Sequence, residues 1–235
     1  MKIDLYYKHN DVNPNDLKDR NVIIIDVLRA TSVIATALNN GAISVQTVAE
    51  IEQAFALKKN NPNVLLAGER DAIKIDGFNF GNSPLEMTVE AIAGKELIMC
   101  TSNGTKAVAV SSQAKSILAA SFINMQSIVD TLSVLNEDFV IICSGTNGRF
   151  SLDDGLAAGM LIHRISANKE DLHVSDSGLA MALIAEHSIK IHKTLSDCYH
   201  LKLLKHRGFQ ADIDYCLSAD IIPTVAKYID GKFVL

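Results

Sequence analysis

Runs of aliphatic residues alternate along the first two thirds of the chain with segments of helical spacing. The two most apolar runs, Val22–Ile25 and Phe139–Cys143, contain no polar residue. Such runs are typical of strands that are buried on both faces of a sheet covered by helices. Shorter runs predict strands at residues 3–7, 43–48, 64–67, 97–100 and 116–120, and the segments between them predict helices at residues 30–40, 49–59, 84–93, 106–113, 125–136 and 152–167. The pattern therefore predicts an α/β fold with three layers, α/β/α, around a largely parallel or mixed sheet.

The last third of the chain is richer in helical pattern. Helices are predicted at residues 177–186, 192–205 and 214–221, and Tyr228–Val234 is predicted to form a hairpin that turns at Asp230 and Gly231. We therefore divide the chain into an α/β core with the turns of the site (residues 1–170) and a helical C-terminal part with a terminal hairpin that packs on the same core (residues 171–235). A chain of 235 residues is long enough to bury a sizeable core in this way.

Composition and charge exclude several kinds of partner. The 22 Lys and Arg residues are outnumbered by 27 Asp and Glu residues, and no basic stripe is visible, which argues against nucleic-acid binding. Charges at Lys2, Asp4 and Lys8 argue against a signal peptide, and no apolar run approaches membrane-spanning length. The four cysteines lack paired zinc or redox spacing, so we expect reduced thiols and a cytoplasmic location. A homo-oligomer is the default expectation for an enzyme of this size.

Three predicted strands end in short polar turns that open helices. These turns are Asp26–Ser32, Thr101–Thr105 and Ser144–Asp154. In a parallel sheet all three would lie at the same edge, so their amide groups and hydroxyls could converge on one ligand. Asp26 follows a buried strand, and a buried carboxylate needs a cation, a metal or hydrogen bonds; Arg29 is its nearest candidate partner. The sequence thus predicts an anion site where the turns meet.

Other motifs narrow the chemistry. The glycine-rich segment Gly68–Ser83 is long for a simple connection, and loops of that length are usually functional. Dinucleotide-binding and phosphate-loop glycine motifs are absent, and Leu28 stands where a haloacid-dehalogenase type of phosphatase has a second aspartate. One rival motif fits: Cys143 and Arg149 have the Cys-x5-Arg spacing of thiol-dependent phosphatases, in which backbone amides wrap a phosphate.

The same segments resemble the 2-phosphosulfolactate phosphatases, which are magnesium-dependent enzymes of coenzyme M biosynthesis. The matching pieces, in family order, are DVLRATS (26–32), GER (68–70), KIDGFNFGNSPLE (74–86), TSNGT (101–105), CSGTNGRFSLDD (143–154) and, more loosely, residues 200–208 and Asp220. The sequence departs from the family pattern at Ser102, Ser144 and Asp153, where threonine, alanine and glutamate are usual. The resemblance implies hydrolysis of a phosphate monoester of a sulfonated lactate, with Mg²⁺ as cofactor.

The resemblance also implies roles for individual residues. Asp26, Arg29, Glu69 and Arg70 would be catalytic, with both arginines gripping the densely anionic substrate. The expected metal ligands are Asp26, Glu69 and Asp153 or Asp154, because a hard cation needs carboxylate oxygens. Substrate would meet residues of the polar turns, namely Thr31, Ser32, Asn82, Ser83, Thr101, Ser102, Asn103, Gly104, Thr105, Cys143, Ser144, Gly145 and Thr146. His200 is a candidate general acid or sulfonate contact.

Alternatives remain open for several of these residues. The turn hydroxyls could equally cap their own helices, and Asp154 stands three residues after Ser151, the spacing of a capping box. The attacking group could be water, Asp26 or Cys143. EDTA should abolish activity in the first two cases, whereas Cys143→Ser should abolish a thiol mechanism. A third hypothesis is a sensor that binds small anions without turnover.

Overall fold

The computed structural model describes residues 1–167, 169, 171–188 and 190–235, and these contain eleven strands and ten α-helices. The strands are β1 (Lys2–Tyr6), β2 (Asn21–Ile25), β3 (Ser44–Val48), β4 (Leu65–Arg70), β5 (Ile73–Lys74), β6 (Glu96–Cys100), β7 (Ser116–Ala120), β8 (Phe139–Cys143), β9 (His173–Val174), β10 (Ala226–Ile229) and β11 (Lys232–Val234). The helices are α1 (Ala30–Asn39), α2 (Ile51–Asn60), α3 (Val89–Ile92), α4 (Gly104–Val110), α5 (Met125–Leu135), α6 (Leu152–Ser166), α7 (Asp176–Glu186), α8 (Ile191–Thr194), α9 (Tyr199–His206) and α10 (Gln210–Cys216).

The strands form one mixed sheet in the order β5-β4-β6-β3-β11-β10-β7-β2-β8-β1-β9. Strands β4, β6 and β3 are mutually parallel, and so are β7, β2, β8, β1 and β9. The predicted terminal hairpin, β10–β11, lies between these two groups and pairs antiparallel with β7 on one side and β3 on the other. The two parallel groups therefore run in opposite directions across the hairpin.

Helices cover both faces of the sheet, as the apolar runs predicted. Ile23 and Ile25 of β2 belong to a core cluster that includes residues of α5, α6 and α7. Val22 and Ile24 of the same strand belong to a second cluster, which includes residues of α1 and α4. The prediction of an α/β fold with a mixed sheet is thus confirmed. The division into two parts stays a prediction, and its boundary at position 170 lies outside the described residues.

The predicted convergence of three turns at one edge of a parallel sheet is wrong in its geometry. Ile24 of β2 and Met99 of β6 are five strands apart in the sheet order, and strands so separated in a flat sheet lie about 24 Å apart. Yet both residues line one small cavity together with Thr47 and Phe233. The sheet is therefore strongly twisted and curled. This curl brings the carboxyl ends of the two opposed strand groups toward each other.

Two predicted segments take a different local form. The long connection after residue 68 is partly a hairpin, because β4 continues to Arg70 and turns through Asp71 and Ala72 into β5. Both turn residues have positive φ, which matches the right-handed twist of the flanking strands. The predicted helix 84–93 is a 3-10 turn at Pro84–Glu86 followed by the short α3. Across the part of the chain that the structure describes, no helix has the length and apolar character needed to cross a lipid bilayer.

Candidate active site

A solvent-open cavity of about 60 Å³ lies where the polar turns meet. The lining comes from the three polar turns, from the β4–β5 hairpin with the loop that follows it, and from α9. The lining residues are Asp26, Leu28, Arg29, Glu69, Asp71, Ala72, Asn82, Thr101, Ser102, Asn103, Thr146, Asn147, His200, Leu203 and Leu204. The predicted residues outside this lining are Thr31, Ser32, Arg70, Ser83, Gly104, Thr105, Cys143, Ser144, Gly145, Asp153 and Asp154.

Asp26 reaches this cavity from the carboxyl end of β2. Its backbone is fixed by Thr31, whose Oγ1 accepts from the Asp26 N–H at 3.1 Å and donates to the Asp26 carbonyl at 2.8 Å. The Ala30 N–H donates to Oδ1 at 3.0 Å. Burial raises the pKa of Asp26 to about 6, against the lowering effect of that hydrogen bond. A Cβ at Gly104 would lie 2.9 Å from Oδ2, so glycine permits the second turn to approach this carboxylate.

In two of the predicted metal ligands, both carboxylate oxygens accept hydrogen bonds from backbone amides. Glu69 accepts from Ala72 N at 2.8 Å and from Ser102 N at 2.9 Å, which ties the β4–β5 hairpin to the second turn. Asp154 accepts from Val27 N at 2.9 Å and from Gly145 N at 3.0 Å, which ties the first turn to the third. These carboxylates therefore hold the turns in their relative positions. Burial, together with the nearby acids, raises the pKa of Asp154 well above its usual value.

Asp153 is fully buried beside His200. Ser151 donates a short hydrogen bond to Asp153 Oδ1, while Oδ2 lies 3.3 Å from His200 Nδ1. Thr146 Oγ1 lies 3.1 Å from the same nitrogen. Burial alone would raise the pKa of Asp153, but His200 and the hydrogen bond from Ser151 lower it below its usual value. Burial alone would lower the pKa of His200, yet its neighbouring carboxylates raise it. Asp153 thus supports a charged imidazole from outside the cavity.

Arg29, the nearest candidate partner of Asp26 in the sequence, is paired with a different carboxylate. The Arg29 guanidinium, only 2% exposed, forms a short ion pair with Asp212 and stacks 4.0 Å from the ring centroid of Phe209. Ser83 Oγ donates to the other oxygen of Asp212 at 2.7 Å. Sequence reasoning missed Asp212. The available signal was an acidic residue on the apolar face of α10, beside Ile213.

Arg70 is engaged away from the cavity. Its guanidinium donates to the Glu69 carbonyl at 2.9 Å and to the Ala49 carbonyl at 2.8 Å, and it lies 3.2 Å from Cys100 Sγ. These contacts fix the end of β4 against the loop after β3. The predicted grip of Arg70 on substrate is therefore not reproduced in this arrangement.

Several of the predicted turn hydroxyls form hydrogen bonds with nearby backbone groups. Ser32 Oγ donates to the Val27 carbonyl at 2.8 Å, and Thr105 Oγ1 donates to the Thr101 carbonyl at 2.9 Å. By contrast, Asn82 Oδ1 and Thr101 Oγ1 are buried and find no hydrogen-bond partner among the described residues. Both residues line the cavity. Buried polar atoms are normally satisfied, so these two oxygens are candidates for contact with a ligand.

Cys143 is poorly placed for a thiol mechanism. Its side chain is fully buried and lies outside the cavity lining. Burial raises the pKa of the thiol well above its usual value, and Asp154 and Asp153 raise it further. A nucleophilic cysteine needs the opposite environment, one that favours the thiolate. This arrangement disfavours the Cys143–Arg149 alternative.

Replacing Cys143 by Ala is expected to leave kcat for phosphate release within about threefold of the unmodified chain, because the thiol does not reach the cavity. Steady-state kinetics on a variant shown by circular dichroism to be folded would measure this. Complete loss of turnover in a folded Cys143→Ala protein would restore the thiol mechanism.

The chain is similar to known proteins over nearly its whole length. The sequence profile of a family described as "2-phosphosulpholactate phosphatase" matches residues 6–231. A protein of Clostridium novyi (strain NT) named "Probable 2-phosphosulfolactate phosphatase" is 42% identical over 229 residues, 97% of each chain. Proteins with the same name are 39% identical in Clostridium beijerinckii, over 99% of this chain and 98% of the relative, and 36% identical in Clostridium acetobutylicum, over the full length of both.

Proposed function

The chain belongs to the 2-phosphosulfolactate phosphatase family, and on that premise we propose that it hydrolyses 2-phosphosulfolactate, or a similar phosphorylated sulfonated or carboxylic acid, with Mg²⁺ as cofactor. The products are the hydroxy acid, sulfolactate, and inorganic phosphate. Such a substrate carries phosphate, carboxylate and sulfonate groups on a small frame. The site that binds it must therefore offer strong positive charge or many hydrogen-bond donors.

The charge of the cavity lining carries the proposal of a metal. Three carboxylates, Asp26, Glu69 and Asp71, line the same space as two cationic groups, the His200 imidazole and the Arg29 guanidinium, and Arg29 is already paired with Asp212. This lining would repel a phosphate dianion unless a cation were bound between them. A divalent cation resolves the conflict because it is attracted by the carboxylates and in turn attracts the phosphoryl oxygens.

The residues present fit Mg²⁺ in its usual coordination. Among the described residues, no group of three His, Cys, Asp or Glu side chains forms a complete metal cage. Mg²⁺ does not require one, because it is commonly held by one or two carboxylates with waters and substrate phosphate completing the shell. Asp26 offers the carboxylate, and the unpartnered oxygens Asn82 Oδ1 and Thr101 Oγ1 offer further hard donors. Glu69 and Asp154 are then residues that position the turns.

The chain's own groups supply the remaining work of phosphoryl transfer. Arg29 binds phosphoryl oxygens, and its contacts with Asp212 and Phe209 keep the guanidinium in one orientation. Water attacks phosphorus on the side opposite the ester oxygen, which leaves as the alcohol of the hydroxy acid. Mg²⁺, when bound, supplies positive charge that stabilises the transferring phosphoryl group.

Removing the metal should abolish turnover of the purified chain. We expect EDTA to lower phosphate release from 2-phosphosulfolactate by at least about 100-fold, and excess Mg²⁺ to restore it. The measurement is a phosphate-release assay on a panel that also contains 2-phospholactate, which lacks the sulfonate, and simple sugar phosphates. Turnover that is insensitive to EDTA would remove Mg²⁺ from the proposal. Tight binding of sulfolactate without hydrolysis of any ester would favour the anion sensor instead. Cytoplasmic location and homo-oligomeric assembly stay predictions from the sequence.

A further inference from the structure

His200 lies at the junction of two cavities. It lines the cavity of Asp26 and Arg29, and it also lines a wider, solvent-open cavity next to it. Thr146 and Asn147 line both as well, so the two cavities adjoin at these three residues. The wider cavity is otherwise bordered by residues that include Arg149, Phe150 and Tyr199. A substrate with its phosphate in one cavity and its acid half in the other would have its scissile bond near His200.

We propose that His200 donates a proton to the ester oxygen that leaves phosphorus, with the phosphate in the Asp26 cavity and the acid half of the substrate in the wider one. This inference rests on the proposed phosphatase function. It assigns a catalytic role to a histidine that lines the substrate cavity. The wider cavity offers the Arg149 guanidinium for the carboxylate or sulfonate of the leaving acid.

The surroundings of the imidazole suit this role. Asp153 Oδ2, 3.3 Å away, and Thr146 Oγ1, 3.1 Å away, both lie at Nδ1, which leaves Nε2 on the opposite side of the ring for the substrate. Asp153 is itself fixed by Ser151. A buried carboxylate at one nitrogen orients the ring and stabilises its protonated form, as general acid catalysis requires. Asp153 is therefore a positioning residue.

Protons and electrons balance in this hydrolysis with water as the only other reactant. The bond between phosphorus and the ester oxygen breaks, and its electron pair goes to that oxygen. The oxygen takes the proton from His200 Nε2 and leaves as the neutral alcohol of the hydroxy acid. Water forms the new bond to phosphorus, giving H₂PO₄⁻, which loses a proton to solvent. His200 then recovers its proton from solvent before the next turnover.

The test compares two leaving groups in one substrate frame. An oxygen ester needs a proton as it leaves, whereas the bridging-sulfur analogue of 2-phosphosulfolactate releases a stable thiolate that does not. We expect His200→Gln to lower kcat on the oxygen ester by about 10²–10³-fold and to leave the rate on the sulfur ester within about threefold. Asp153→Asn should show the same selectivity with a smaller loss. His206→Gln, an exposed histidine on the same helix, is the matched control and should change neither rate.

Each outcome has a distinct meaning. Equal losses on both esters in a folded His200→Gln protein would overturn proton donation and leave His200 with a binding role. An unmodified chain that releases phosphate from neither ester would contradict the proposed function itself. If the unmodified chain hydrolyses only the oxygen ester, 4-nitrophenyl phosphate and phosphoenolpyruvate replace the sulfur ester, because their leaving groups depart without a proton. If His200→Gln then lowers the rate by the same factor on these substrates as on 2-phosphosulfolactate, the inference is overturned.

Discussion

Asp26→Asn is expected to lower kcat for phosphate release by about 10²–10³-fold while the protein stays folded. The amide oxygen of Asn can still accept from Ala30 N, and Thr31 still fixes the backbone, so the turn is preserved. What is lost is the negative charge offered to Mg²⁺. Steady-state kinetics over a range of Mg²⁺ concentrations would measure both kcat and the concentration of metal needed for half-maximal activity.

A second carboxylate provides the control for this change. Asp71 lines the same cavity from the tip of the β4–β5 hairpin but is exposed to solvent. Asp71→Asn should therefore cost less than about tenfold in kcat, because water screens its charge. If both variants lose activity equally, the effect comes from the overall charge of the cavity. If Asp26→Asn keeps full activity, Asp26 does not hold the metal.

Asp212→Ala is expected to have the largest effect on stability, about 3–5 kcal/mol in the free energy of unfolding. The change leaves the buried guanidinium of Arg29 without its ion-pair partner and removes the acceptor of Ser83 Oγ. For a chain of this length the melting temperature falls by roughly 2–4 °C for each kcal/mol. Urea unfolding followed by circular dichroism would give the change in free energy directly.

A double variant separates the structural part of this pair from its functional part. Arg29→Met combined with Asp212→Leu removes both charges and keeps apolar volume, and buried ion pairs can often be replaced in this way with little loss of stability. We expect the double variant to recover most of the stability that Asp212→Ala loses. It should remain inactive, because no guanidinium then faces the phosphate. Recovery of activity together with stability would show that Arg29 only supports the fold.

Local pattern was sufficient for the elements that carry the site. The apolar runs of β2 and β8 are confirmed because a strand buried on both faces has a signature within a few residues. Helix breaks were harder to place: the prediction for residues 84–93 failed because Ser83 caps only a 3-10 turn and Thr88 caps a new helix. Both hydroxyls accept hydrogen bonds from backbone amides two or three residues later, and the spacing of apolar residues does not reveal such bonds.

Long-range pairing was beyond the reach of the pattern. The curl of the sheet depends on β10–β11 lying between β3 and β7. The sequence of residues 226–234 does not indicate which strands they pair with. The partner of Arg29 is 183 residues away in sequence. Nor can a sequence show whether an acid faces a ligand or a backbone amide. Asp26 and Asp154 were both predicted to bind the metal, yet of the two only Asp26 lines the cavity, and Asp154 accepts hydrogen bonds from backbone amides. The roles of individual site residues are still predictions.

The central place of the C-terminal hairpin has a consequence for how the molecule is made. Strands β2 and β7 can pair as soon as they leave the ribosome, and so can β3 and β6, but the register of Phe233 with Val45 joins residues 188 positions apart. Until that late segment is synthesised, the nascent chain consists of two open half-sheets with bare edges, which are prone to pair with other chains. Such high contact order slows folding, so chaperone binding during translation would protect this protein most just before its last strands emerge.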